Sequence, residues 1–143
     1  MSGPGNAAVY PMVAMVGLVV IVGAALFAQR VGEMRRKRIA LQSVAAAAQM
    51  AARMTGIKIA DNLRNLFETP VLFYALCLTW LATQSATRAM LAAAWADVAL
   101  RALHSAIHCT YNRVNHRFAA FAASFALLAW LWGMTAVRLQ AAP

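Results

Sequence analysis

Acidic residues are nearly missing from this chain. Its 143 residues include 4 Asp and Glu against 13 Lys and Arg, and charged residues of both signs make up only 12%. An average soluble domain carries about 25%. Hydrophobic residues reach 63%, and one domain of this length has no interior large enough to hide so much apolar surface. That excludes an ordinary soluble globule and leaves a bilayer as the solvent. The formal charge of +9 suits nucleic acid or anionic lipid in general. Here the basic residues do not sit among surface aromatics, so we expect no nucleic-acid partner and favour lipid headgroups and a buried anionic ligand. Cysteine is scarce too. Cys77 and Cys109 form no CxxC pair, which argues against a disulfide framework and a zinc site and leaves two buried thiols as the simple reading. There is no HExxH motif and no internal repeat. Met1 to Val9 holds no Lys or Arg, so the first apolar run is expected to be a retained span and not a signal peptide.

What is present is a set of long apolar runs. A membrane span needs about 20 mainly apolar residues. Residues 10–28, 66–83, 89–111 and 118–137 meet that need, and the first is too long for a signal-peptide core. The expected fold is an all-α integral membrane protein, a four-helix transmembrane bundle in a single domain, 1–143. The connection 29–64 holds Arg30, Arg35, Arg36, Lys37, Arg38, Arg53, Lys58 and Arg64, and the third connection, 112–117, holds Arg113 and Arg117. The opposite side holds only Arg88 and Arg138. The positive-inside rule puts the first and third connections in the cytoplasm and both termini outside. Met34 to Arg38 reads as a headgroup anchor. The Ala-rich stretch from Ser43 to Arg53 reads as a helix beyond the membrane or at its surface. Small residues in the third and fourth spans, such as Ala92 to Ala94 and Ala119 to Ala123 with one Phe between, permit close helix approach.

The third span breaks the rule that membrane helices avoid charge. It contains Asp97, Arg101, His104 and His108. An Arg or Asp at a span centre costs about 2.5–3.5 kcal/mol, whereas a good apolar residue returns about 0.3–0.6 kcal/mol. Such side chains must face protein, water or ligand. Advancing by about 100° per residue, these four plus Tyr111 and Asn115 fall within about 40° of one line. In the second span Asp61, Asn65 and Glu68 share a face, and Pro70 frees a carbonyl near Leu66. If the two stripes meet near the cytoplasmic side, they form a polar pocket for a small zwitterion or polyanion. Arginines pair bidentately with carboxylates, Glu68 accepts from an ammonium group, and Asn65, Tyr111 and the histidines offer neutral hydrogen bonds. Two alternatives remain at this point. The stripes could be a buried network that fixes helix register, or His104 and His108 could hold a metal. Arg101 beside them repels a cation, so no metal is expected.

At these residues the sequence resembles the MAPEG family, the membrane-associated proteins in eicosanoid and glutathione metabolism. The resemblance rests on Asn65-x-x-Glu68 followed by Pro70, on Arg101-x-x-His104-Ser105, and on His108, Tyr111-Asn112 and Arg117-Phe118, in that order along a four-span chain. It implies a homotrimer with glutathione bound between subunits near the cytoplasmic side. It assigns ligand binding to Asn65 and Glu68, matches Arg101 to the family's third-span Arg, and makes Arg117 the nearest match to the Arg that stabilises the thiolate, with Arg113 as the alternative. The family often has Tyr where His104 and His108 stand. It also has an Arg four residues before the Asn, where this chain has Asp61; Arg64 and Arg53 are candidates to compensate.

The resulting expectation is a glutathione transferase- or peroxidase-like enzyme, with glutathione as co-substrate and a lipophilic electrophile arriving through the bilayer. A non-catalytic protein of the same fold that presents a lipid or partner is the alternative. A transporter or proton pathway along the Asp97/Arg101/His stripe is a third reading. The lack of the inverted repeats that such folds use counts against it.

Overall fold

The structure is a computed structural model that describes residues 5–54 and 57–141, apart from the side chains of Leu41, Ala47, Ala51 and Ile57. Among the described residues every regular element is helical. Helix α1 spans Val9–Lys37, α2 Ala47–Arg53, α3 Ile57–Glu68, α4 Pro70–Thr83, α5 Arg88–Cys109 and α6 Val114–Gln140. Four stretches are long and apolar enough to cross a membrane: Asn6–Lys37, Lys58–Thr83, Arg88–Cys109 and Val114–Gln140. Helices suit lipid because they satisfy their own backbone polar groups. Threonines in the spans do the same for their hydroxyls, as where Thr79 Oγ1 donates to the Ala75 carbonyl at 2.9 Å.

The helices differ from the expected spans at their ends. Helix α1 runs nine residues past the apolar stretch, from Ala28 to Lys37, because Arg35, Arg36 and Lys37 in its last turn complement the helix dipole. It stops at Arg38, which takes the left-handed conformation (φ 52°) while the Ile39 amide donates back to the Met34 carbonyl at 3.0 Å. The Ala-rich stretch forms a separate short helix, α2, and Lys37 Nζ donates to the Arg53 carbonyl at 3.1 Å at its end. Pro70 divides the second span. Helix α3 ends at Glu68 and α4 starts with Pro70 in its first turn, where the missing N–H costs nothing. Thr69 stays in the helical region, φ −77° and ψ −38°, so the division is a hitch in one span and not a turn.

The up-and-down order is visible at both ends. At one end Gln84 Nε2 donates to Asn6 Oδ1 at 2.9 Å and Arg138 Nε donates to the Ser85 carbonyl at 2.9 Å. That joins the start of the chain, the α4–α5 link and the end of α6. The other end carries the first and third connections and is the basic end. The buried positions of α5 recur every three or four residues, at Met90, Ala94, Asp97, Arg101, His104 and His108. On α6 they recur at Ala120, Ser124, Leu128, Leu131 and Thr135. These two faces pack on each other in the most extensive helix contact of the molecule.

The bundle has two unlike halves. Phe73, Leu76, Cys77, Trp80, Met90 and Leu131 form an apolar core away from the basic end. Toward the basic end the buried set turns polar: Asn62, Asp97, Arg101, His104, Ser105, His108 and Ser124 are all buried. Outward-facing Val13, Val20, Ile21, Phe27, Phe118 and Trp130 suit lipid.

Candidate functional site

The polar half is built where α3, α5 and α6 converge. Helix α5 supplies Arg101, His104 and His108 from one face, α3 supplies Asn62 and Asn65, and α6 supplies Arg117 from its first turn. Asn65 Nδ2 lies 3.5 Å from His104 Nε2, and His104 Nδ1 lies 3.0 Å from the Arg117 carbonyl oxygen. A carbonyl can only accept, so Nδ1 carries the His104 proton and Nε2 is free to accept from the Asn65 amide. Arg117 Nη1 reaches His108 Nε2 at 3.0 Å and donates to Asn112 Oδ1 at 2.9 Å. A guanidinium can only donate, so His108 accepts at Nε2 and its own proton sits on Nδ1.

Three buried donors are then left over. His108 Nδ1 and both Arg101 Nη atoms have no hydrogen-bond partner among the described residues. Arg101 is 1% exposed. Its guanidinium carbon lies 5.0 Å from the centroid of the Phe121 ring, a cation–π contact. The His104 ring also packs on Phe121, with centroids 5.8 Å apart, and on His108 at 5.6 Å. One turn deeper in the bundle, Ser124 Oγ donates to Asp97 Oδ1 at 2.5 Å, while Asp97 Oδ2 has no partner among the described residues. Unmet donors on a buried arginine are what an anion requires.

The seven residues singled out from sequence do not all converge. Asn65, His104, His108 and Arg117 form one hydrogen-bonded cluster, and Arg101 joins it through Phe121. Glu68 is exposed. The face that α3 turns inward is Asn62 and Leu66, at 0% and 1% exposure, with Asn65 at its edge. Tyr111 is 57% exposed, and its hydroxyl lies 3.3 Å from His116 Nδ1. The α5 stripe reaches Tyr111 and Asn115 only in a continuous helix. Helix α5 ends at Cys109, and Asn112 takes the left-handed conformation (φ 50°), so both residues leave the stripe.

Three further residues belong to the site and were not singled out. Asn62 Nδ2 donates to Cys109 Sγ at 3.4 Å, and Asn62 Oδ1 accepts from Ser105 Oγ at 3.4 Å, so it joins α3 to α5. Its signal was an Asn on the same side as Leu66, four residues on. Ser124 and Phe121 carried no signal beyond their place in an apolar span.

Residues 8–137 match the sequence model of the MAPEG family. The chain belongs to the MAPEG family. Membership makes it a multi-pass membrane protein of glutathione and eicosanoid metabolism, and the four membrane-length helices agree with that. No curated protein and no solved structure matches the chain. In this MAPEG protein three positions depart from the family pattern. Asp61, in place of an Arg, is exposed, and His104 and His108, in place of Tyr, are buried. As neutral rings both histidines keep a donor and an acceptor, which a tyrosine hydroxyl also supplies.

Proposed function

We propose that the polar cluster at the basic end binds glutathione and that the protein conjugates or reduces lipophilic electrophiles with it. The observation that carries this reading is the set of buried, unpartnered donors on Arg101 and His108 beside a tethered Arg117. Glutathione brings carboxylates for such donors. Arg101 presents two open Nη groups, the geometry for one carboxylate held bidentately, reached past the partly buried Phe121. Asn65, held at the α3–α5 seam, accepts and donates to the peptide backbone of the ligand. Arg117 is half-buried and anchored by Asn112 and His108, so its charge is fixed in place. A thiol with a pKa of about 8.5 becomes a nucleophile at neutral pH when such a cation stabilises its thiolate. The thiol proton passes to water, the sulfur attacks the electrophilic carbon, and the leaving group departs.

The reading includes assembly with further copies, a homotrimer as the family resemblance implies. In a single chain Glu68 stands exposed on a membrane-length helix. An ionisable side chain there is expensive against lipid, and an adjoining subunit covers it while bringing it to the ligand. The basic end is cytoplasmic in this reading.

The test is titration calorimetry of glutathione into the purified protein in nanodiscs, followed by conjugation of a chlorodinitrobenzene-type acceptor. Binding with turnover is expected. Arg117→Ala is expected to reduce turnover by about a hundredfold or more, as for loss of one charge-stabilising donor. Binding without turnover would favour the lipid-presenting alternative, and no binding would overturn both.

A further inference from the structure

One buried acidic residue, Asp97, has no part in the thiol chemistry. Asp97 precedes Arg101 by four residues on α5, the spacing and order at which an acid and a base on one helix meet most favourably. In a low-dielectric interior their attraction is strong. Yet among the described residues no ion pair joins them within 4.0 Å. The Asp97 carboxylate is turned to α6, where Ser124 donates to its Oδ1 at 2.5 Å, and Arg101 lies over the Phe121 ring instead. Both sides of the missing pair are unfilled: Asp97 Oδ2, Arg101 Nη1 and Arg101 Nη2 have no partner among the described residues. All three residues are nearly closed off, with Asp97 and Arg101 at 1% exposure and Ser124 at 0%.

We propose that Ser124 is a latch that holds Asp97 away from Arg101 and so keeps both Arg101 Nη groups open to an anionic group of the ligand. Asp97 stays one turn from Arg101 on α5, so an acidic group remains near the buried arginine without consuming its donors. With the latch gone, Asp97 swings onto Arg101, and the carboxylate of the helix competes with the carboxylate of the ligand. Ser124 and Asp97 are thus positioning residues for affinity. The inference rests on the reading that Arg101 receives an anion.

The test uses the full chain in nanodiscs with 15N-labelled arginine, the Arg101 Nε–H resonance being assigned from Arg101→Lys. In the unliganded protein Ser124→Ala should move that resonance, Ser124→Thr should return it toward the wild-type position, and Ser124→Ala should have no effect when Asp97→Asn is already present. Glutathione affinity should fall about tenfold in Ser124→Ala, within the usual range for coupling between two linked equilibria. It should not fall further when Ser124→Ala is added to Asp97→Asn. An Arg101 resonance that stays still in Ser124→Ala, or that moves equally in the Asp97→Asn background, overturns the latch. If the wild type binds no glutathione, the proposed function fails, and the unliganded spectra still decide the latch.

Discussion

Trp80 illustrates how single residues hold this bundle together. Its indole Nε1 donates to Thr135 Oγ1 at 2.8 Å, and Thr135 Oγ1 donates to the Leu131 carbonyl at 2.8 Å. Trp80 and Thr135 are buried at 0% and 1% exposure. Thr135→Val keeps the shape but strands a buried indole N–H, which costs about 1–3 kcal/mol. Thermal unfolding in detergent should show a lower midpoint for Thr135→Val, and Trp80→Phe in the same background should recover part of the loss, because it removes the stranded donor. None of this was legible beforehand. Trp80 and Thr135 stand 55 positions apart in the chain, and nothing local marks a threonine in an apolar span as a partner rather than a self-satisfied hydroxyl. Asn62 and Ser124 escaped notice for the same reason: each is a single polar residue whose role depends on which neighbour it meets. Arg101, His104 and His108 were legible because their cost in lipid demands an explanation at the level of the residue itself.

Helix α5 shows what periodicity determines at the level of an element and where it stops. Its polar stripe was read correctly from Asp97 to His108, because a helix carries residues three and four apart on one face. Beyond Cys109 the same arithmetic failed, because it assumes that the helix continues. The terminating residues are Thr110, Tyr111 and Asn112, with neither Gly nor Pro to announce the end. Asn112 nonetheless enters the left-handed region, which Asn tolerates better than most residues. The other end of α5 is set by Thr87, whose Oγ1 accepts from the Met90 amide at 3.2 Å. Thr87→Ala removes that cap and should cost about 1 kcal/mol. Hydrogen exchange is the direct measurement. Amides in the first turn of α5, Met90 above all, should exchange faster in Thr87→Ala, while those near His104 stay unchanged. A uniform acceleration along α5 would show that the cap is not local in effect.

At the scale of the whole molecule the chain is divided by chemistry, with an apolar core in one half and buried polar groups in the other. Charge follows the same division, the basic clusters lying at the polar end. The positive-inside rule then makes a definite prediction about orientation. With Cys77 and Cys109 replaced by Ala, a Ser43→Cys variant should react with a membrane-impermeant thiol reagent only from the cytoplasmic side, and Ser85→Cys only from the other. The reverse pattern would overturn the proposed orientation and, with it, the cytoplasmic position of the site. By itself the sequence determined the solvent, the number of spans, the alternation of their ends and the inner face of α5. Each of these follows from composition or from a period within one helix, and the energy of placing charge in lipid is large enough to leave no second solution. Only the tertiary structure decided that Asn62 and Leu66, rather than Asp61 and Glu68, face the bundle. It alone decided that Tyr111 leaves the stripe and that Asp97 is tied to Ser124 instead of Arg101. These depend on helix rotation and on contacts between helices, where competing arrangements differ by a hydrogen bond or two, and no period along one chain segment records which of them wins.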